Sequence, residues 1–177
     1  MNSRRLNKML GAFLLFSLSC LSLPAQNAFK DSYRVDTIKM PAGLTAQTGG
    51  IDFLPDGRLV ACFMRGEVMT YNLHTGEWKM FARGLQLPLG ILAMSNSEVL
   101  VMQLSELTRI KDTNGDGNAD VYESATNDFG MSGNYHEFNY GPVKDKGGNL
   151  YIALNTASSA NGIRSVVRGR FNKLGRD

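Results

Sequence analysis

The sequence is poor in the residues that staple small folds or bind soft metals: 2 cysteines, 2 histidines and 1 tryptophan in 177 residues. Cys20 lies inside an apolar N-terminal run, so a processed chain keeps Cys62 alone and can form no intrachain disulfide. No C-x-x-C-H haem-attachment motif occurs. Cys62 itself sits in "RLVACFM", a strand-like apolar stretch, and is expected to be an inert core thiol.

A strong excess of one charge is missing too. The 19 basic and 16 acidic residues leave a formal +3, and Arg4, Arg5 and Lys8 at the N-terminus account for all of it. A nearly neutral remainder argues against nucleic acid as a partner. Beyond residue 25 no apolar run approaches the roughly 20 residues of a spanning helix, and helical periodicity is scarce.

At the N-terminus, those three basic residues precede "MLGAFLLFSLSCLSL", and Ala25 offers a cleavage position after Pro24. Residues 1–25 are expected to be a signal peptide and 26–177 the mature domain, secreted or periplasmic, with no transmembrane segment after the signal. Lipidation of Cys20 is the lesser reading, because Ser17 stands where bacterial lipoprotein signals usually carry leucine.

Past the signal, short runs rich in Val, Ile, Leu, Tyr and Phe alternate with Gly, Asn, Asp and Pro, which predicts an all-β fold. Candidate strands are "YRVDTIK", "GIDFL", "RLVACFM", "EVMTYNL", "EWKMFA", "GILAM", "EVLVMQL", "LTRIK", "FNYGPVK" and "NLYIALN". Three segments repeat one design: "GIDFLPDGRLVACF", "GILAMSNSEVLVMQ" and "GPVKDKGGNLYIAL" each hold a glycine, a strand, a polar turn and a second strand. Leu59, Val99 and Leu150 begin the second strands at a shared offset. The first interval is about forty residues, the length of a four-stranded propeller blade. The chain is thus expected to be the N-terminal part of a β-propeller, truncated after about three repeats, whose remaining C-terminal blades are its natural partners. A small autonomous sheet domain is the alternative.

"DTNGDGNADVYE" interrupts the second interval as an insertion. Asp112, Asn114 and Asp116 stand at positions one, three and five of a calcium loop, Gly117 at the sharp turn, and Glu123 at position twelve. Asn118 can add its carbonyl and Asp120 a direct or water-mediated oxygen. Such hard oxygens suit calcium, and the strand-like flanks suit a structural ion that stiffens a hairpin rather than a helical sensor. The competing reading is an acidic Asn/Gly turn without metal.

His136, in "SGNYHEFNYGP" beside Glu137 and three aromatic residues, could take a proton from a sugar or alcohol. The alternative is a histidine bonding the backbone at a blade junction. His74 is expected to be exposed, and Trp78 and the methionines to be core. The basic "RSVVRGRFNKLGR" reads as the start of another blade with a solvated face.

"GLQLPLGI", "LTRIKDTNGDGNADVYE" and "YHEFNYGPVKDKGGNLYIALN" together resemble the secreted β-propellers related to sorbosone and soluble glucose dehydrogenases, as found in bacterial proteins described as membrane-bound dehydrogenases. The resemblance implies six blades, pyrroloquinoline quinone as cofactor and oxidation of a sugar or alcohol. It also implies that His136, upstream of "GPVKDKGGNLY", is the catalytic base. It assigns no cofactor-binding residue within this chain. The other class of function is a non-catalytic secreted propeller that binds carbohydrate or a protein partner.

Overall fold

A computed structural model describes residues 32–45, 47–129 and 138–155. The chain divides into two units, Met1–Ile38 and Lys39–Asp177. The signal peptide 1–25, Cys20, His136 and the basic C-terminal stretch lie outside the described residues. Among those described, no helix is long and apolar enough to cross a membrane.

In the first unit the described residues are largely exposed, irregular chain in which Arg34 and Asp36 pair at 2.7 Å. The strand expected at "YRVDTIK" is therefore not formed there. Its alternation is genuine, but a strand exists through its ladder, and this segment straddles the boundary between the two units.

The second unit is all-β and antiparallel. Strands β1 (Thr48–Phe53), β2 (Leu59–Phe63), β3 (Val68–Asn72) and β4 (Glu77–Ala82) form one sheet in chain order. Strands β5 (Gly90–Ser95), β6 (Glu98–Met102), β7 (Leu107–Lys111) and β8 (Val121–Thr126) form a second sheet of the same design. Strands β9 (Phe138–Lys144) and β10 (Leu150–Asn155) pair as a hairpin. Strand β8 was hidden in the sequence because "VYESAT" follows the acidic loop directly and carries few apolar residues.

The sheets stack face to face, which explains the unbroken apolar runs in their second strands. Along β6 the side chains alternate between two cores. Val99 and Val101 join Val60, Cys62 and Val68 of the first sheet. Leu100 and Met102 join Leu150 and Ile152 of the hairpin. Strand β6 is thus buried on both faces, and a polar residue on either side of it would have no water to face.

The leading glycines of the first two repeats have their reason in the same stacking. β1 lies beside β5, and β5 beside β9. A Cβ on Gly50 would stand 2.9 Å from the Cα of Gly90, and a Cβ on Gly90 would fall inside the carbonyl oxygen of Gly141. First strands meet backbone to backbone, closer than any side chain allows.

Polar bonds pin the stack at matching places. Asp52 in β1 accepts the Ala93 amide of β5 at 2.8 Å, while Asn96 accepts the Asp56 amide at 2.9 Å. At the hairpin, the Asn139 side-chain amide donates to the Leu104 carbonyl at 2.6 Å. Cys62 is fully buried with its thiol toward the Pro88 carbonyl, and burial pushes its pKa up to about 12. Trp78 is half-buried, packs on Tyr71 and Phe63, and donates to the Lys39 carbonyl at 3.0 Å.

Candidate functional site

The acidic stretch is the turn of the β7–β8 hairpin, at the place where the first sheet makes its short turn at residues 73–76. The expectation of strand flanks holds: β7 delivers Asp112 into the loop and β8 carries the chain away from it. Gly115 and Gly117 both adopt positive φ, at 78° and 90°, with open space around them. That geometry lets the chain reverse twice within a few residues.

The loop is held by its own carboxylates and amide. Asp112 accepts the Gly115 amide on Oδ1 at 2.7 Å and the Gly117 amide on Oδ2 at 2.9 Å. Asn114 Oδ1 accepts the Asp116 amide at 2.9 Å, and Asp116 Oδ1 accepts that of Asn118 at 2.7 Å. Asp120 closes the turn, receiving the Thr113 amide at 3.0 Å and its hydroxyl at 2.8 Å. The Asn118 bonds hold the Asp116 carboxyl below its ordinary pKa against the nearby charge of Asp120. Bonds from Thr113 do the same for Asp120. Both acids therefore stay ionised at neutral pH.

Glu123 is placed differently from the other five candidates. It sits within β8, opposite Arg109 of β7, with Lys111 Nζ 3.6 Å from its carboxylate. Among the described residues no group of three or more His, Cys, Asp and Glu side chains converges as a metal cluster. The loop nevertheless fits calcium in donor chemistry: its candidate donors are all hard oxygens, and an oxygen that accepts one amide keeps a second lone pair.

The loop is anchored to both sheets, a feature invisible in its motif. The Asp112 amide donates to the Ser97 carbonyl at 2.9 Å, and the Ala119 amide donates to the Phe81 carbonyl of β4 at 2.7 Å. Ala119 also packs on the core between the sheets, and the Tyr122 hydroxyl accepts the Arg83 amide at 3.4 Å. An ion that fixed this loop would fix the joint between two repeats.

The connection from β8 to β9, which holds His136, leaves β8 at the end opposite the acidic loop. At that end Gln103, Thr108 and Glu106 form a largely buried network in which Gln103 also accepts the Gln86 amide. These residues were not singled out from sequence, since a glutamine and a threonine in "MQLSELTR" read as ordinary turn chemistry. His74 is exposed, as expected.

A family model described as a domain of unknown function (DUF7133) matches residues 74–174, a span that takes in β4, the whole second sheet with its acidic loop, and the hairpin. No curated protein matches the chain.

Proposed function

We propose that this chain, which belongs to the family of the domain of unknown function DUF7133, forms the first repeats of a secreted β-propeller with a calcium-stiffened joint between repeats. The observation that carries the reading is the glycine-lined stacking of β1, β5 and β9, which supports placing these strands around a common axis with further blades completing the ring. Asp112, Asn114, Asp116, Asp120, the Asn118 carbonyl and Glu123 are the residues that would hold the ion. Bound calcium would supply positive charge that relieves carboxylate repulsion across the turn. The role is structural, because the loop joins two strands of one sheet rather than two helices that could open on binding. Calorimetric calcium titration, paired with melts in calcium and in chelator, tests this part: binding with a raised Tm is expected. Absence of binding and identical melts would remove the ion.

The catalytic part of the proposal is a sorbosone- or glucose-dehydrogenase-like oxidation of a sugar or alcohol, with His136 taking the hydroxyl proton. Pyrroloquinoline quinone would supply the redox chemistry when bound. It is a tricarboxylate, and the described arginines do not form a buried cationic pocket for it: Arg34, Arg65 and Arg83 are exposed, and Arg58 and Arg109 are paired with Asp56 and Glu98. The described residues do not fit the cofactor. The second reading is a non-catalytic propeller that binds carbohydrate or a protein partner. Quinone-dependent dye reduction by a chain that carries the remaining blades separates the two. Its loss in His136→Ala supports the base, whereas unchanged turnover removes His136 from the chemistry.

A further inference from the structure

Asn114 is followed by Gly115 in the acidic loop, and among the described residues no other asparagine precedes a glycine. The pair has a chemistry of its own, because an asparagine side chain and the next backbone nitrogen can close a cyclic imide. In that step the Gly115 nitrogen bonds to Asn114 Cγ, the Cγ–Nδ2 bond breaks, and ammonia leaves with the proton that the amide gives up. Water then opens the imide at either of its carbonyls and leaves aspartate or isoaspartate at position 114. The conversion consumes water and needs no oxidant or reductant. A following glycine favours it, since no Cβ shields the attacking nitrogen.

Both residues are exposed to solvent. Gly115 stands at φ 78°, and nothing lies within 4 Å of the place a Cβ would take. Sterics therefore leave the peptide open, and its restraint comes from hydrogen bonds. The Gly115 N–H is given to Asp112 Oδ1 at 2.7 Å, and the same carboxylate takes the Gly117 amide on Oδ2 at 2.9 Å. Asn114 Oδ1, on the carbon that would be attacked, is held by the Asp116 amide at 2.9 Å. Ring closure requires the nitrogen to shed its proton and the side chain to swing onto it, so both bonds have to open first. A bond to a charged acceptor is the stronger kind, which makes Asp112 the principal restraint.

We propose that the Asn114–Gly115 peptide is a deamidation site, held in check in the folded loop by the Asp112 carboxylate. Asn118, the other asparagine of the loop, precedes Ala119, which carries a Cβ and whose amide is engaged by the Phe81 carbonyl. Reaction at Asn114 has a structural consequence. Aspartate there sets another carboxylate beside Asp112 and Asp116 and adds repulsion across the turn. Isoaspartate lengthens the main chain within residue 114, which lies between Asp112 and the amides that it accepts. Either product loosens the turn tied to Ser97 and Phe81, so the peptide sets a lifetime for the joint between the sheets. Every bond in this inference lies within the loop, and none depends on calcium.

Prolonged warm incubation of the chain at neutral pH tests it, in chelator throughout so that the outcome is independent of any bound ion. Fragment-ion mass spectrometry of tryptic peptides follows the loss of ammonia and gain of water at each asparagine. In urea Asn114 should convert as fast as Asn161, which also precedes a glycine, and far faster than Asn118. In the native chain Asn114 should slow by about tenfold or more. Asp112→Ala, checked for its β spectrum by circular dichroism, should recover most of the urea rate. Asp112→Asn, which keeps one uncharged acceptor, should fall between. An Asn114 no faster than Asn118 in urea would overturn the site. A native rate equal to the urea rate would overturn the restraint, a comparison that needs no variant. A folded Asp112→Ala as slow as wild type would overturn the part given to Asp112; if that variant does not fold, an Asp112→Asn rate equal to wild type does the same.

Discussion

Replacing Gly90 with alanine puts the stacking of first strands to a quantitative test. The added Cβ would fall inside the Gly141 carbonyl oxygen, with further contacts to the Gly141 backbone. Neither atom belongs to a flexible side chain, so β5 and β9 must part by about 1–2 Å to restore an ordinary contact distance near 3.5 Å. A gap of about 1 Å forfeits roughly half of each dispersion contact across it. The contacts at stake are those of Leu100 and Met102 with Leu150 and Ile152. Overpacking of this kind costs about 1–3 kcal/mol and sometimes more, and a backbone clash belongs at the upper end, about 3 kcal/mol. For a domain of this size that corresponds to a fall in Tm of about 6–12 °C. Urea unfolding followed by the fluorescence of Trp78, the single tryptophan, with circular dichroism as a second probe, measures it. Gly147→Ala is the control: its Cβ would meet the side chains of Asn149 and Asp145 at 3.3 Å, both on the surface turn. It should cost about 0.5 kcal/mol or less. A Gly90→Ala protein within 0.5 kcal/mol of wild type would refute the close approach as the reason for the glycine.

Three more outcomes follow from the same packing. Cys62, with a pKa near 12 and no exposure, should react with a disulfide reagent at pH 8 at least a hundredfold more slowly in the native chain than in urea; comparable rates would place it outside the core. In chelator, thermal stability should hold from pH 7 to about 5 and fall below about pH 4. Asp116 and Asp120 have depressed folded-state values, so the stability they contribute is complete above the ordinary carboxylate pKa and lost as pH falls through the folded one. Asp120→Asn should flatten part of that acid limb, and an unchanged limb would remove Asp120 from it. Asp112→Ala and Glu123→Ala should each shrink the rise in Tm that calcium produces; if Glu123→Ala leaves the rise intact, Glu123 serves Lys111 and not the ion.

Much of the architecture is legible in the sequence. The glycine, strand, turn, strand design at Gly50, Gly90 and Gly141 marked the inner hairpins of the three repeats, because close approach of backbones leaves a residue type that a reader can see. The run "EVLVM" announced a strand, and its lack of alternation matches burial on both faces. Strand β8 was not legible: its polar residues Glu123 and Ser124 face solvent on an outer strand, and pairing with β7 defines it. "YRVDTIK" failed in the opposite sense, with the right alternation and no sheet to join. At the candidate site the spacing from Asp112 to Asp120 identified a loop rich in oxygen donors. Its ties to Ser97 and Phe81 could not be foreseen, since backbone carbonyls leave no trace in residue type. The contact of Asp52 with the Ala93 amide is hidden in a similar way, since its donor is a backbone N–H of another strand.

If calcium stiffens the joint between the two stacked sheets, as proposed, amide hydrogen exchange at Ala119 registers it most directly. That amide donates to the Phe81 carbonyl of the neighbouring sheet and belongs to the loop that would hold the ion. Calcium should slow its exchange at least tenfold, along with that of Gly115 and Gly117, whose amides the Asp112 carboxylate accepts. Amides of β2 and β6, deep in the stack, should change far less. Equal exchange at Ala119 with saturating calcium and with chelator would contradict the account.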